Sequence, residues 1–155
     1  MKKTNKGFSL VELIIVIAIM AILAGALAPA LIKYINKSRA SAAISNGQQI
    51  ATAIQTALSN EQVFDSASDV AASTNYSTWI AGSTALAQEV KKTIGSSANH
   101  KANKTMLGTS CDKNYYIEVH PIPSGDQDMV RVYVGKASDA EYMVYPTTGK
   151  QWKEQ

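Results

Sequence analysis

Residues 13–32 read LIIVIAIMAILAGALAPALI, twenty positions without a charged or strongly polar side chain. As an α-helix rising about 1.5 Å per residue, the run is roughly 30 Å long, which matches the hydrocarbon core of a bilayer. The core of a secretory signal is shorter, about 7–15 residues, so the length supports a membrane-spanning helix. Lys2, Lys3 and Lys6 precede the run, and Lys33, Lys37 and Arg39 follow it. Local counts therefore leave the positive-inside rule undecided. Long domains translocate largely regardless of flanking charge, which predicts a cytoplasmic N-terminus with residues 40–155 outside.

The charge balance narrows the function classes. The chain carries +3 at pH 7, and the three lysines before the apolar run account for all of it. The rest of the chain is neutral, which argues against a nucleic-acid partner bound through its phosphates. Cys111 is the only cysteine, so neither an internal disulfide nor a multi-cysteine zinc site is available. A chain of 155 residues has room for one modest core.

Glu12 is out of place, flanked by Val11 and Leu13 at the edge of the apolar run. A carboxylate deep in a bilayer costs a few kcal/mol or more, so such a residue lies at the interface or finds a partner. Both readings are open from composition alone. A partner would exist if the chain were cut after Gly7, because Phe8 would then carry a free ammonium.

The segment Lys6-Gly7-Phe8-Ser9-Leu10-Val11-Glu12-Leu13 resembles the prepilin cleavage site of type IV pilins and of the related pseudopilins. The pattern is a short basic leader ending in glycine, an N-methylatable residue, glutamate as the fifth mature residue, and an apolar helix. All parts are present at the right spacing. The likeness is close from Met1 to about Arg39 and covers the rest only in layout.

The resemblance implies a leader over residues 1–7, a membrane and assembly helix over 8–34, and a globular head over 35–155. It implies that a prepilin peptidase with methyltransferase activity cuts the Gly7–Phe8 bond and methylates Phe8. Glycine suits that cleft because a residue without Cβ admits a close backbone approach. Glu12 would pair with the Phe8 ammonium of a neighbouring copy. In a low-dielectric bundle such a pair sets register more than net stability. The implied protein is a structural subunit, not an enzyme, needing no cofactor. Its partners would be copies of itself in a helical filament, the inner-membrane assembly platform and minor pilins. It would sit in the membrane as a single-pass precursor and outside the cell once assembled. A pseudopilin of a type II secretion or competence system is the alternative. A secreted enzyme or binding module, cut near Ala28 or Ala30, is the remote one.

Pro29 lies four residues after Gly25, lacks an N–H and clashes with the Gly25 carbonyl, so a kink is expected. The resemblance adds that this stretch loses helicity inside filaments.

Beyond the run, Ala43, Gly47, Ile50, Ile54, Ala57 and Leu58 share one helical face, so the helix is expected to continue to Leu58. Gly47 on that face predicts close backbone approach. Residues 59–112 read as a loop region holding one short helix, 83–94, capped by Ser83 and ended by Gly95. Its Leu86, Val90 and Ile94 would face the core. Strands are expected at 115–120, 129–135 and 142–146, joined by two hairpin connections. The fold class is therefore α+β: a long N-terminal helix against a small C-terminal antiparallel sheet of three or four strands, a layout similar to the pilin fold.

Secondary chemistry is thin. Ser124, Asp126 and Asp128 are candidate calcium ligands, but no EF-hand pattern surrounds them and a polar hairpin turn is the simpler reading. His100, His120 and Cys111 lack any cysteine-protease signature. Lys91, Lys92, Lys101, Lys104 and Lys113 read as a solvated face. Tyr115, Tyr116, Tyr133, Tyr142 and Tyr145 read as sheet packing.

Overall fold

A computed structural model describes residues 7–95, 112–125 and 127–153. His100, Lys101, Lys104, Cys111 and Asp126 lie outside the described residues. The chain divides into two compact units, Met1–Ile35 and Asn36–Gln155.

The first unit is the start of helix α1, Leu10–Leu58. Pro29 lies inside α1, and the helical assignment runs through it without interruption. Every large apolar side chain from Phe8 to Ile35 is exposed within this unit.

The second unit holds the rest of α1 and all of the sheet. After α1 come α2 (Glu61–Ser66), β1 (Val70–Asn75), α3 (Tyr76–Ile80), α4 (Ala85–Ile94), β2 (Tyr115–Val119), β3 (Val130–Val134), a 3-10 turn (Ala140–Tyr142), β4 (Met143–Tyr145) and α5 (Lys150–Lys153). The four strands form one antiparallel sheet in the order β1-β2-β3-β4. The pilin-like α+β layout expected from the sequence is the observed one.

The core forms where the amphipathic stripe of α1 meets the inner sheet face. Ala43, Gly47, Ile50, Ile54, Ala57 and Leu58 are all buried, as their spacing requires. Strand alternation supplies the other wall, with Tyr115, Ile117 and Val119 from β2 and Val130, Val132 and Val134 from β3. Ile50 and Ile54 are fully buried, each contributing about 1.5–3 kcal/mol. Two tyrosines tie the layers. Tyr115 donates to the Ala43 carbonyl at 3.0 Å, and Gln55 donates to the Tyr145 hydroxyl at 2.8 Å. Burial pushes the Tyr115 hydroxyl up to about 12.

Gly47 shows why the stripe is built from small residues. A Cβ there would overlap Val144 Cγ2 and lie 3.3 Å from Val144 Cβ, so the missing side chain lets β4 approach the helix.

Residues 59–95 correct the sequence reading. Besides the expected helix they hold α2, β1 and α3, so the sheet has a fourth strand. The short helix starts one residue later than expected, and Thr84, not Ser83, caps it by accepting the Ala87 N–H at 3.3 Å. Gly95 does end it, with φ 78°. Leu86 and Val90 are buried and Ile94 packs against the core. Asn60 and Asn75 cap α2 and α3 through their side-chain oxygens, at 3.1 and 2.9 Å.

A fragment spanning residues 35–155 should be a soluble, folded monomer with mixed α/β circular dichroism. Persistent aggregation of the fragment would contradict the division. In that fragment Gly47→Ala gains at most about 1 kcal/mol of helix propensity and loses about 1–3 kcal/mol to overpacking. A melting temperature lower by several degrees is expected, and an unchanged one would show that Val144 yields freely.

Candidate functional site

The apolar helix begins with a hydrogen-bonded cap. Ser9 directly precedes α1, and its carbonyl accepts the Leu13 N–H at 3.2 Å, the first turn of the helix. Glu12, in that first turn, reaches back so that its Oε2 accepts the Ser9 N–H at 2.8 Å. This is the reach-back half of a capping box, in which glutamate three residues after the cap satisfies an orphan backbone donor. The carboxylate also lies at the positive end of the helix dipole. The sequence reading did not assign Glu12 this role. The Ser-x-x-Glu spacing of Ser9 and Glu12 is the signal that would have found it.

The other segment residues are open. Phe8 is 78% exposed, and a Cβ built on Gly7 would meet nothing within 4 Å. Nothing in the described chain therefore demands glycine at position 7. Gly25 is likewise clear of neighbours and shares the uninterrupted helix with Pro29. The helix contains a stretch long and apolar enough to cross a membrane, judged by length and composition.

On the head, the sheet's outer face carries a polar network. Glu118 and Arg131 are directly opposed across β2 and β3. Glu118 Oε2 accepts from the Tyr133 hydroxyl at 2.9 Å and lies 3.6 Å from Arg131 Nη1. Its Oε1 lies 3.2 Å from His120 Nε2, while His120 Nδ1 lies 3.4 Å from Asp69 Oδ2. Burial, reinforced by the hydrogen bond to Glu118, pushes the Tyr133 hydroxyl up to about 12. The hydrogen bond to Glu118 raises His120 above its ordinary value; burial opposes this and Asp69 adds to it.

Several of the secondary candidates make intramolecular contacts. Arg131 Nε donates to Asp128 at 3.0 Å, so this carboxylate has an intramolecular partner. Gly125, beside Ser124, has φ 64°, the backbone of a tight turn. Among the described residues no group of three or more His, Cys, Asp or Glu side chains is placed to hold a metal ion. Lys92 pairs with Glu89 at 2.8 Å on the exposed side of α4.

A long helix packed on an antiparallel sheet, entered through an apolar N-terminal stretch, is the pilin fold. A model of the prokaryotic N-terminal methylation motif matches residues 2–28. Type IV major fimbrial proteins FimA of Dichelobacter nodosus are 47% identical over 58 residues, covering 37% of this chain and 37% of one relative and 36% of another. The chain thus spans little more than a third of the length of those relatives. A fimbrial protein of Moraxella nonliquefaciens is 30% identical over 146 residues, covering 77% of this chain and 95% of that protein. The chain belongs to the type IV pilin and fimbrial protein family. No solved structure matches it.

The cap yields a prediction independent of assembly. Glu12→Gln keeps an oxygen that can accept the Ser9 N–H, whereas Glu12→Ala does not. In detergent micelles, amide exchange at Ser9, and at Leu13 whose N–H bonds the Ser9 carbonyl, should quicken in Glu12→Ala and stay near wild type in Glu12→Gln. Equal protection in all three proteins would remove the capping role.

Proposed function

We propose that this chain is the precursor of a structural subunit that polymerises through its N-terminal helix into a type IV pilus. The observation that carries the reading is the apolar surface of residues 8–35. It is exposed in the single chain and contains Glu12 at its N-terminal edge. Such a surface needs lipid before assembly and copies of itself afterwards. The relatives' description as fimbrial proteins favours a surface filament. Adhesion, motility or biofilm formation are the uses proposed for it.

In this reading residues 1–7 are a leader, and prepilin peptidase cuts between Gly7 and Phe8 and methylates Phe8. The open surroundings of Gly7 support it, since the need for glycine then arises in the protease cleft. Before the cut the Phe8 nitrogen is an uncharged amide, and Glu12 serves its own helix. After it, a neighbour's Phe8 ammonium competes for the same carboxylate. Methylation leaves that amine protonated and keeps the pairing. Pro29 supplies a point where α1 can open between Gly25 and Pro29 when the helices bundle. The assembly platform and minor pilins act on the membrane-held precursor, and residues 35–155 form the exposed head. No step requires a catalytic residue or cofactor of this chain.

Mass spectrometry of the mature N-terminus is the direct test, with N-methylated Phe8 expected. Cleavage near Ala28 or Ala30 would overturn the reading in favour of a secreted product. Gly7→Val should leave uncut precursor on an immunoblot, and normal maturation would sink the site.

Glu12 variants separate charge from capping. Glu12→Ala should be cleaved yet yield few filaments in sheared preparations, because a buried ammonium loses its partner. Glu12→Asp should be intermediate. Glu12→Gln, which keeps the cap, should still resemble Ala. Wild-type filament yield from Glu12→Ala would leave the pairing without support.

A further inference from the structure

We propose that His120 is a proton-operated clasp that fastens the segment between α2 and β1 to the sheet. The geometry is a single imidazole ring set between two carboxylates from different parts of the fold. Nε2 meets Glu118 of β2 at 3.2 Å, and Nδ1 meets Asp69, which directly precedes β1, at 3.4 Å. Only imidazolium has an N–H on both ring nitrogens. Protonated His120 can therefore serve both carboxylates at once. Neutral His120 must leave one of them facing a lone pair.

The two contacts differ in strength. The Glu118 side chain is 17% exposed and is held by the Tyr133 hydroxyl and the Arg131 guanidinium. The Asp69 side chain is 71% exposed and has water as a ready alternative. When the ring loses its proton, the remaining N–H stays on Glu118 and Asp69 is released. The groups facing the clasp are thus Asp69, Glu118 and, behind Glu118, Arg131 and Tyr133.

Besides the clasp, the fastened segment is held by pairing with β2 and by Ala67 and Val70, which pack against the core. β1 is an edge strand whose register with β2 shifts between Val70 and Thr74. Its side chains are Val-Ala-Ala-Ser-Thr-Asn, and none of them is fully buried. Asp69 adjoins the Val70↔Val119 pair, and Val119 adjoins His120, so the clasp closes the end of the ladder. On its other side the His120 N–H donates to Met129 at 2.8 Å, which anchors the ring's own backbone to the β2–β3 connection.

Protonation is favoured in the folded state, because both contacts stabilise the cation. The stabilisation is therefore complete below the ordinary imidazole value and fades as pH rises through the higher folded-state value. Acidification should tighten the α2–β1 connection, and mild alkali should loosen it without disturbing the central strands.

The test uses the full chain in detergent micelles, with amide-exchange protection factors measured at pH about 5 and about 8. Protection of Val70 and Ala71 should fall several-fold at the higher pH, while Ile117 and Val132 serve as unchanged references. Asp69→Asn, a surface change, should leave those amides weakly protected at both pH values and should lower the His120 titration midpoint followed by NMR. His120→Gln should also abolish the pH response. Equal protection of Val70 in the wild type at both pH values would overturn the clasp. So would an undiminished response in either variant.

Discussion

The rest of the molecule is organised around one unmet demand, the apolar surface that residues 8–35 present to their surroundings. Within its own unit nothing covers it: Leu13, Ile14, Ile17, Leu23, Leu27 and Leu31 are all exposed. Backbone polar groups do not share the problem, because a helix satisfies them internally wherever it lies. The exception is the first turn, whose N–H groups point past the end of the ladder. Glu12 answers that locally at Ser9. A single carboxylate thus serves a need that exists in every state of the chain and, in the proposed filament, one that arises only after processing.

The head solves a different problem, how to build a core from few large residues. Its helix stripe is mostly alanine with Gly47, and small side chains bring the sheet close instead of filling a gap. The bulk comes from the sheet side, chiefly Tyr115, Ile117 and the β3 valines. Tyrosine fits this layout because its ring packs while its hydroxyl finds a helix carbonyl or a Gln55 amide. Gly149 has a similar part near the C-terminus, where a side chain would run into the carbonyls of Ala140 and Glu141.

The apolar run, the buried helix face, Gly47 and the strands β2, β3 and β4 were legible because each rests on a strong periodicity or a long uninterrupted pattern. β1 was not, since Val70–Asn75 is made of small and polar residues whose strand identity comes from pairing with β2. α2 and α3 are only six and five residues long, too short for a helical period to register. Asn60 and Asn75, whose side chains cap them, are signals that the sequence reading did not use. At the N-terminal segment, the motif pointed to Gly7, Phe8 and Glu12, but the Glu12 hydrogen bond needed coordinates. The His120 partners were hidden more deeply, because Asp69 meets the ring only through the folding of β1 onto β2.

The sheet's two outer strands bear on crowding. β4 is three residues long, its register shifts against β3, and Pro146, which follows it, has no N–H to offer. β1 shifts register as well and exposes alternate small side chains. Short, irregular borders of this kind make poor templates for a further strand. A head held at high local density beside its copies would then touch them through side chains. It would not fuse with them through continuous backbone ladders, and each sheet would keep its own identity however closely the copies were stacked.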